Sequence, residues 1–474
     1  MFEHLLNGLL TAFSPEVLPI LIFGVVGGII LGALPGLTAT MGVAILLPFT
    51  FGMDSTPALV MLIGVYIGGI YGGSIAAILL KTPGTPASAA TVLDGHTLAA
   101  KGQAARALSI SAVASFVGGL LSTIVLIAIS PLLANFALRF NAPEYFALAL
   151  FGLTIIVSVS SQNILKGLLA GSIGLLVSTV GLDPISSVPR FTFGMMDLYS
   201  GINVIPVLIG LFALSEAINQ IEKIINEKHA EVPTFDRKIL SKKDLKTILP
   251  TATKSGLIGT AIGSVPGAGA DVSAFVCYNE AKRSAKKPEE FGKGSLHGLA
   301  AAESGNNGVT GGSLVPLLTL GVPGDAVAAV LLGALIVQGL TPGPLLFSQS
   351  PEVVYGVFSS MLVANIVMLL VGLLGIRFFC RIIEVPKILM IPIIIFLSVV
   401  GAYAINNSMF DVGIAIAFGL LASPSVRWTF HPRQYCWPSF WGQWQKPTYA
   451  KPYSCTITRG HSCMSDQSHL PSCC

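Results

Sequence analysis

The stretch GALPGLTATMG (32–42) interrupts a long apolar run, with VLPILIFGVVGGIIL (17–31) before it and VAILLPFTF (43–51) after it. Proline removes a backbone donor and crowds the preceding turn, and glycine opens conformations that end a helix. Pro35-Gly36, followed by the hydroxyls of Thr38 and Thr40, therefore reads as a helix break where an apolar helix should continue. Irregular backbone at membrane depth persists only where it is buried in protein or lines a cavity. A break exposes N–H groups with partial positive charge at the new N-terminus and carbonyls at the C-terminal end. The first suits an anion and the second a cation.

Composition places the surrounding runs in a bilayer. Hydrophobic residues make up 53% of 474 positions and charged residues 11%, against about 25% charged in a soluble globular chain. ALSISAVASFVGGLLSTIVLIAIS (107–130) and VVYGVFSSMLVANIVMLLVGLLG (353–375) carry no charge over the roughly 20 residues that cross the hydrocarbon core as a helix. The alternating pattern of a membrane barrel is absent. The expected fold is an all-α polytopic membrane protein in contact with a lipid bilayer. MFEHLLNGLLTAFSPE at the N-terminus lacks the basic region of a cleaved signal and carries Glu3 and Glu16. Its Phe2, Leu5, Leu6, Leu9, Leu10 and Phe13 share one helical face, which suits a helix lying in the interface. A net charge of +4 argues against a nucleic-acid partner.

Spans are expected near 17–33, 41–51 with 57–80, 108–130, 144–161, 166–182, 203–219, 248–262, 313–321 with 326–340, 353–375, 386–404 and 408–422. Polar interruptions fall at 34–40, 81–106, 263–275 and 303–325. The basic stretch 220–246 is the central linker between a first membrane repeat, 1–219, and a second, 247–422. Basic residues are densest at 222–246 and 281–294, which the positive-inside rule makes cytoplasmic.

The halves resemble each other. GIILGALPGLTA (28–39) aligns without gaps on GTAIGSVPGAGA (259–270), so Pro35-Gly36 matches Pro266-Gly267. GGSIAAILLKTPGTPA (72–87) matches GGSLVPLLTLGVPGDA (311–326) with one insertion, so Pro83-Gly84 matches Pro323-Gly324. Two ordered matches indicate an internal duplication. The basic loops at 281–294 and 377–387 are cytoplasmic by charge, whereas their counterparts near 52–56 and 131–143 fall outside. The halves are therefore expected to be inverted structural repeats, with broken helices or re-entrant hairpins meeting at the midplane, as in secondary transporters.

The candidate site follows from those breaks. A lone Pro-Gly kink serves packing well enough, but four in repeat-related pairs point to a shared cavity. Thr38, Thr40, Ser74, Thr82, Thr85, Asn306 and Asn307 offer neutral donors to carboxylate oxygens, although small polar residues also join membrane helices. Pro35, Gly36, Gly84, Gly267, Pro323 and Gly324 would supply open backbone. Asp271, Glu303 and Asp325 are candidates for ion coupling, because carboxylates at membrane depth are costly; the competing reading is a loop mouth in water. Lys81 reads as a snorkelling lysine, and His96 and His297 lack the clustered partners of a metal site. An aspartyl dyad of Asp271 and Asp325 would make an intramembrane enzyme, and a passive organic-anion channel is a further alternative.

Residues 423–474 form a separate tail. All four tryptophans and five of the seven cysteines fall there. Cys436, Cys455, Cys463, Cys473 and Cys474 match no standard ligand spacing. Without an apolar period the segment is expected to form no packed domain.

The segment from GALPGLTATMG through KTPGTPASAATVLDGH (32–96) resembles the large membrane subunit of the tripartite tricarboxylate transporter family. GSVPGAGADVSAFVCYNEAKR (263–283), AAESGNNGVTGGSLVPLLTLGVPGD (301–325) and GLTPGPLLF (339–347) resemble it too, so that the likeness covers roughly 1–422. It implies a non-enzymatic carboxylate importer in a bacterial inner membrane. The implied partners are a small membrane subunit and a periplasmic solute-binding protein. It also implies symport with sodium or protons, with no cofactor and no ATPase; the sequence contains no Walker motif. The family's chain continues past 422 with apolar sequence, from which this tail departs.

Overall fold

The computed structural model describes residues 2–34, 36–140, 143–144, 147, 150, 164–183, 187–224, 240–376, 378–379 and 387–423. Pro35, the middle of the basic linker and the tail beyond Ser423 lie outside the described residues.

In chain order, α1 (Phe2–Ala12), α2 (Val17–Ala33), α3 (Ala39–Leu46) and α4 (Ser55–Leu80) come first. A run of short helical turns then leads to α5 (Ala104–Ala137). After α6 (Ile164–Ser178), a two-residue hairpin pairs β1 (Gly181–Leu182) with β2 (Pro189–Arg190). The first half ends in α7 (Val204–Leu208), a π-turn (Ile209–Leu214) and α8 (Ser215–Ile224). The second half holds α9 (Lys242–Gly263), α10 (Gly269–Ser284), α11 (Leu296–Leu320), α12 (Ala326–Val337) and α13 (Pro351–Leu374). It closes with α14 (Lys387–Asn406) and α15 (Met409–Ala422).

The protein is thus nearly all helical. Among the described residues, α4, α5, α13 and Val204–Ile221 are each long and apolar enough to cross a membrane. The α1–α2 pair, bent by 73°, is a further candidate. Leu6, Leu10 and Phe13 at the bent N-terminal end are exposed, as expected of a helix set against the interface.

Glycine determines how the helices meet. On α2, Gly24, Gly28 and Gly32 recur every fourth residue and face Gly64, Gly68 and Gly72 of α4. A Cβ on Gly28 would run into the Val65 carbonyl, one on Gly32 into that of Gly69, and one on Gly68 into that of Val25. The backbones touch, the usual way small residues bring membrane helices together. In the second half Gly259 and Gly263 of α9 stand against Gly305 and Val309 of α11, and Gly312 of α11 against Thr260. Gly28 and Gly32 align with Gly259 and Gly263, so both halves build the same helix pair.

Each pair ends in a fold-back. Lys81 and Gly321, each two residues before its proline, take left-handed backbone (φ 60° and 71°) and stop α4 and α11. The chain then returns along the helix it has left. Gly84 lies against Gly73 and the Gly32 carbonyl, and Gly324 lies against Ser313 and the Gly263 carbonyl. The two central helices also meet each other. Tyr66 of α4 bonds Ser313 of α11 (3.0 Å), and Ser74 bonds Glu303 (2.7 Å). As one number rises the other falls, so α4 and α11 run antiparallel. The halves exchange contacts reciprocally: α3 packs on α12, while α10 packs on Pro86–Thr91.

Three polar segments converge at one end. Asp94 accepts hydrogen bonds from the N–H groups of Gly292 (2.9 Å), Gly294 (2.7 Å) and Ser295 (2.7 Å), and from the Tyr278 hydroxyl (2.9 Å). Lys101 donates to the Lys293 carbonyl at 2.6 Å, and Arg106 pairs with Asp244 at 2.5 Å. Asp244 also closes a capping box with Ser241 at the start of α9. Charge places two of these segments, 222–246 and 281–294, on one side.

The structure corrects several boundaries. The polar interruption expected over 303–325 shrinks to 321–325, because ESGNN lies inside α11 with its backbone bonded along the helix. Gly305 packs against Cys277 of α10, and Glu303, Ser304 and the Asn307 amide find partners on other elements, so the helix runs on through the polar stretch. Residues 57–80 belong to a helix that starts at Ser55 and stands apart from α3. The linker is helical at both ends, since α8 runs to Ile224 and α9 starts at Lys242.

Two outcomes follow. Gly68→Leu forces α2 from α4, and overpacking of this kind costs about 1–3 kcal/mol or more. The thermal midpoint in detergent should fall; an unchanged midpoint would contradict the contact. The Arg106 hydrogen bonds hold Asp244 down to about 2, below the roughly 3.9 of a free aspartate. A depressed pKa stabilises the fold above the unfolded value and loses that effect as pH falls through the folded one. The stability gap between the native protein and Asp244→Asn should therefore be full above about pH 4 and close toward pH 2, as read from acid denaturation.

Candidate functional site

The first break runs from Leu34 to Thr38. Gly36 has φ +92°, and the Gln220 side chain lies where a Cβ would stand. Thr38 caps α3, its hydroxyl accepting from the Met41 N–H at 3.1 Å. Thr40, in the first turn of α3, is buried. Pro35 lies outside the described residues.

The second break, after Lys81, leaves Thr82 and Pro83 exposed and Gly84 buried. Thr82 bonds only the nearby Leu80 carbonyl, at 3.4 Å. Thr85 is buried and forms a capping box with Ser88. The Gly84 N–H donates to the Gly73 carbonyl at 3.2 Å.

In the second half the two breaks touch directly, the Gly267 N–H donating to the Gly324 carbonyl at 2.9 Å. Gly267 and Asp271 are exposed, Pro323 half-buried and Gly324 buried. Asp325 caps α12. One oxygen accepts from the Ala328 N–H (2.7 Å) and the other from the Tyr66 hydroxyl (2.6 Å). Both of its oxygens are therefore engaged.

Between the fold-backs runs a buried polar strip. Glu303 is wholly buried and accepts from the hydroxyls of Ser74 (2.7 Å), Ser111 (2.9 Å), Ser115 (3.0 Å) and Thr91. Asn307 donates its amide to Ser115 (2.8 Å) and to the Glu303 carbonyl (3.1 Å). Its oxygen has no partner, and neither amide atom of the buried Asn306 has one. Tyr66, which marks one fold-back, and Gly73, which marks the other, lie seven residues apart on α4, about 10 Å along the axis.

Ser74, Glu303 and Asn307 thus share one network, Asp325 joins Tyr66 and Ser313, and Gly267 meets Gly324. Thr82 and Asp271 are exposed. Sequence reading passed over Tyr66, Thr91, Ser111, Ser115 and Ser313. Ser111 and Ser115 carried a signal, two hydroxyls one turn apart on one face of a long helix; Tyr66 inside an apolar run carried none. A separate pocket of about 470 Å³, lined by Lys254, Glu280, Lys286, Lys287 and His297 among others, includes none of the anticipated site residues.

The chain is 37% identical over 432 residues to an uncharacterized 52.8 kDa protein in the TAR-I ttuC' 3' region of Agrobacterium vitis, covering 91% of this chain and 86% of that protein. An uncharacterized protein in the TAR-II ttuC' 3' region of the same organism is 36% identical over 169 residues, 36% of this chain and 70% of that one. No solved structure matches. The sequence model of the Tripartite tricarboxylate transporter TctA family matches residues 18–433. The chain, a multi-pass helical membrane protein, belongs to that family.

Proposed function

We propose that the chain is the large transmembrane subunit of a binding-protein-dependent secondary transporter that imports carboxylate solutes on an ion gradient. Its partners in this reading are a small membrane subunit and a periplasmic solute-binding protein. The membrane is the bacterial inner membrane, with the Lys101–Arg106–Lys293 end in the cytoplasm. One observation carries the proposal: two repeat-related fold-backs return along antiparallel central helices to flank one buried polar strip. Antiparallel α4 and α11 are what inverted repeats require, and paired broken helices around a central site are the usual architecture of carriers.

The two halves divide the chemistry. α3 begins at a neutral hydroxyl, Thr38, with Thr40 in its first turn, so its positive end remains open to an anion. Gly36, Gly84 and Thr85 border the same region. In the second half the corresponding helix starts hold Asp271 and Asp325, which neutralise the positive ends and disfavour an anion. The carboxylate substrate is therefore assigned to the first-half breaks. Asp325, engaged by Tyr66 and capping α12, serves as a structural acid in this reading, and the aspartyl dyad of an enzyme loses its support.

Counterflow tests this. In proteoliposomes holding the chain and both partners, unlabelled carboxylate inside should accelerate entry of labelled carboxylate, and the solute should be recovered intact. Flux without such stimulation would indicate a channel, and cleaved solute an enzyme. Thr40→Val should raise the half-saturating concentration about tenfold, the effect of losing one hydrogen bond of about 1.4 kcal/mol. An unchanged value would remove Thr40 from the site.

A further inference from the structure

We propose that Glu303, the four hydroxyls around it and the side-chain oxygens of Asn306 and Asn307 form a dehydrated binding site for one sodium ion. Glu303 is fully buried, and among the described residues no ion pair includes it. Hydroxyls from α4, α5 and the segment after the second break surround it instead. An isolated carboxylate without a counter-charge is costly in such surroundings. One turn along the same face lie three amide atoms with no partner: both of Asn306 and the oxygen of Asn307. Buried polar groups normally have partners, and an unpartnered one calls for a ligand or an explanation.

The donor chemistry narrows the ligand. The groups are all oxygens, one anionic and the rest neutral, and among the described residues no cluster of three His, Cys, Asp or Glu exists. Oxygen-only sites suit hard cations. One carboxylate balances one positive charge, whereas a divalent ion would leave a buried excess. A proton would neutralise Glu303 but leave the amide oxygens without a partner; a metal ion can take them as ligands. The other two carboxylates are worse placed, since Asp325 is held by a backbone N–H as the cap of α12, whereas the Glu303 partners are all hydroxyls that can turn, and Asp271 is exposed.

The site also reaches the first-half fold-back. Ser74 precedes the break at Lys81, and Thr91 follows it, six residues after Thr85. An ion that orders these hydroxyls draws the fold-back against α11 and fixes the first-half breaks assigned to the carboxylate. This coupling rests on the transport reading; the binding site itself does not.

The purified chain in detergent, without substrate, is the test material. Its thermal midpoint should rise and saturate as sodium chloride replaces choline chloride at constant pH and ionic strength, and potassium should not substitute. Glu303→Gln should abolish the shift. Asn306→Ala and Ser111→Ala, which keep the carboxylate, should weaken the apparent sodium affinity by about tenfold, while Asp325→Asn should retain it within about twofold. No sodium shift in the native protein, a shift that survives Glu303→Gln, or a midpoint that follows pH alone would overturn the proposal. Should Glu303→Gln not fold, undiminished affinity in both Asn306→Ala and Ser111→Ala would do the same. Carboxylate counterflow undiminished in sodium-free medium would overturn the coupling and leave the transport reading standing. Sodium binding as described with no carboxylate flux would support the site and overturn the transport reading.

Discussion

Everything in this molecule depends on how closely two backbones can lie. Gly24, Gly28 and Gly32 against Gly64, Gly68 and Gly72 leave no room for a side chain, and the second half repeats the arrangement with α9 and α11. Lipid tails are as apolar as leucine, so burial alone gives membrane helices little reason to associate; close packing has to supply it. The same closeness makes the fold-backs possible. Gly84 and Gly324 each enter a gap between a helix pair, Gly84 between the Gly32 and Gly73 carbonyls and Gly324 between the Gly263 carbonyl and Ser313. A chain returning through hydrocarbon would leave its N–H groups unsatisfied, whereas one wedged between backbones does not.

Duplicated scaffold has not kept duplicated chemistry. Ser74 and Ser313 occupy matching places in the GGS motifs, and each meets a polar residue of the opposite central helix. Ser74 meets a carboxylate, Ser313 a phenol. The helix that follows the break starts with a threonine cap in one half and carries an aspartate in its first turn in the other. In the proposed reading, such divergence gives one end of the polar strip a cationic preference and the other an anionic one.

Much of this was legible in the text. Proline and glycine mark breaks through local sterics, which sequence records directly, and the ordered repeats exposed the duplication. Charge alone grouped 222–246 and 281–294, and Asp94 and Arg106 bring 81–106 to both. What escaped was long-range satisfaction. ESGNN looked like an interruption because a window of sequence shows polar side chains but not the hydroxyls of Ser111 and Ser115, almost two hundred residues away, that make a helix tolerable there. Thr82 and Asp271, expected at the site from their place beside a motif, are exposed, a property that a sequence window does not record.

The Asp94 contact has a consequence for how the protein is made. Its carboxylate depends on three N–H groups and a hydroxyl that belong to the other half, 184 to 201 residues further on. At about 5–20 residues per second, roughly 10–40 s of synthesis separates the acid from its donors. Until then the segment that bears it cannot settle against the core and has to wait at the water boundary. The first repeat is therefore not an independent folding unit, and its maturation is timed by the arrival of the second. The two halves complete each other only once the second has been inserted.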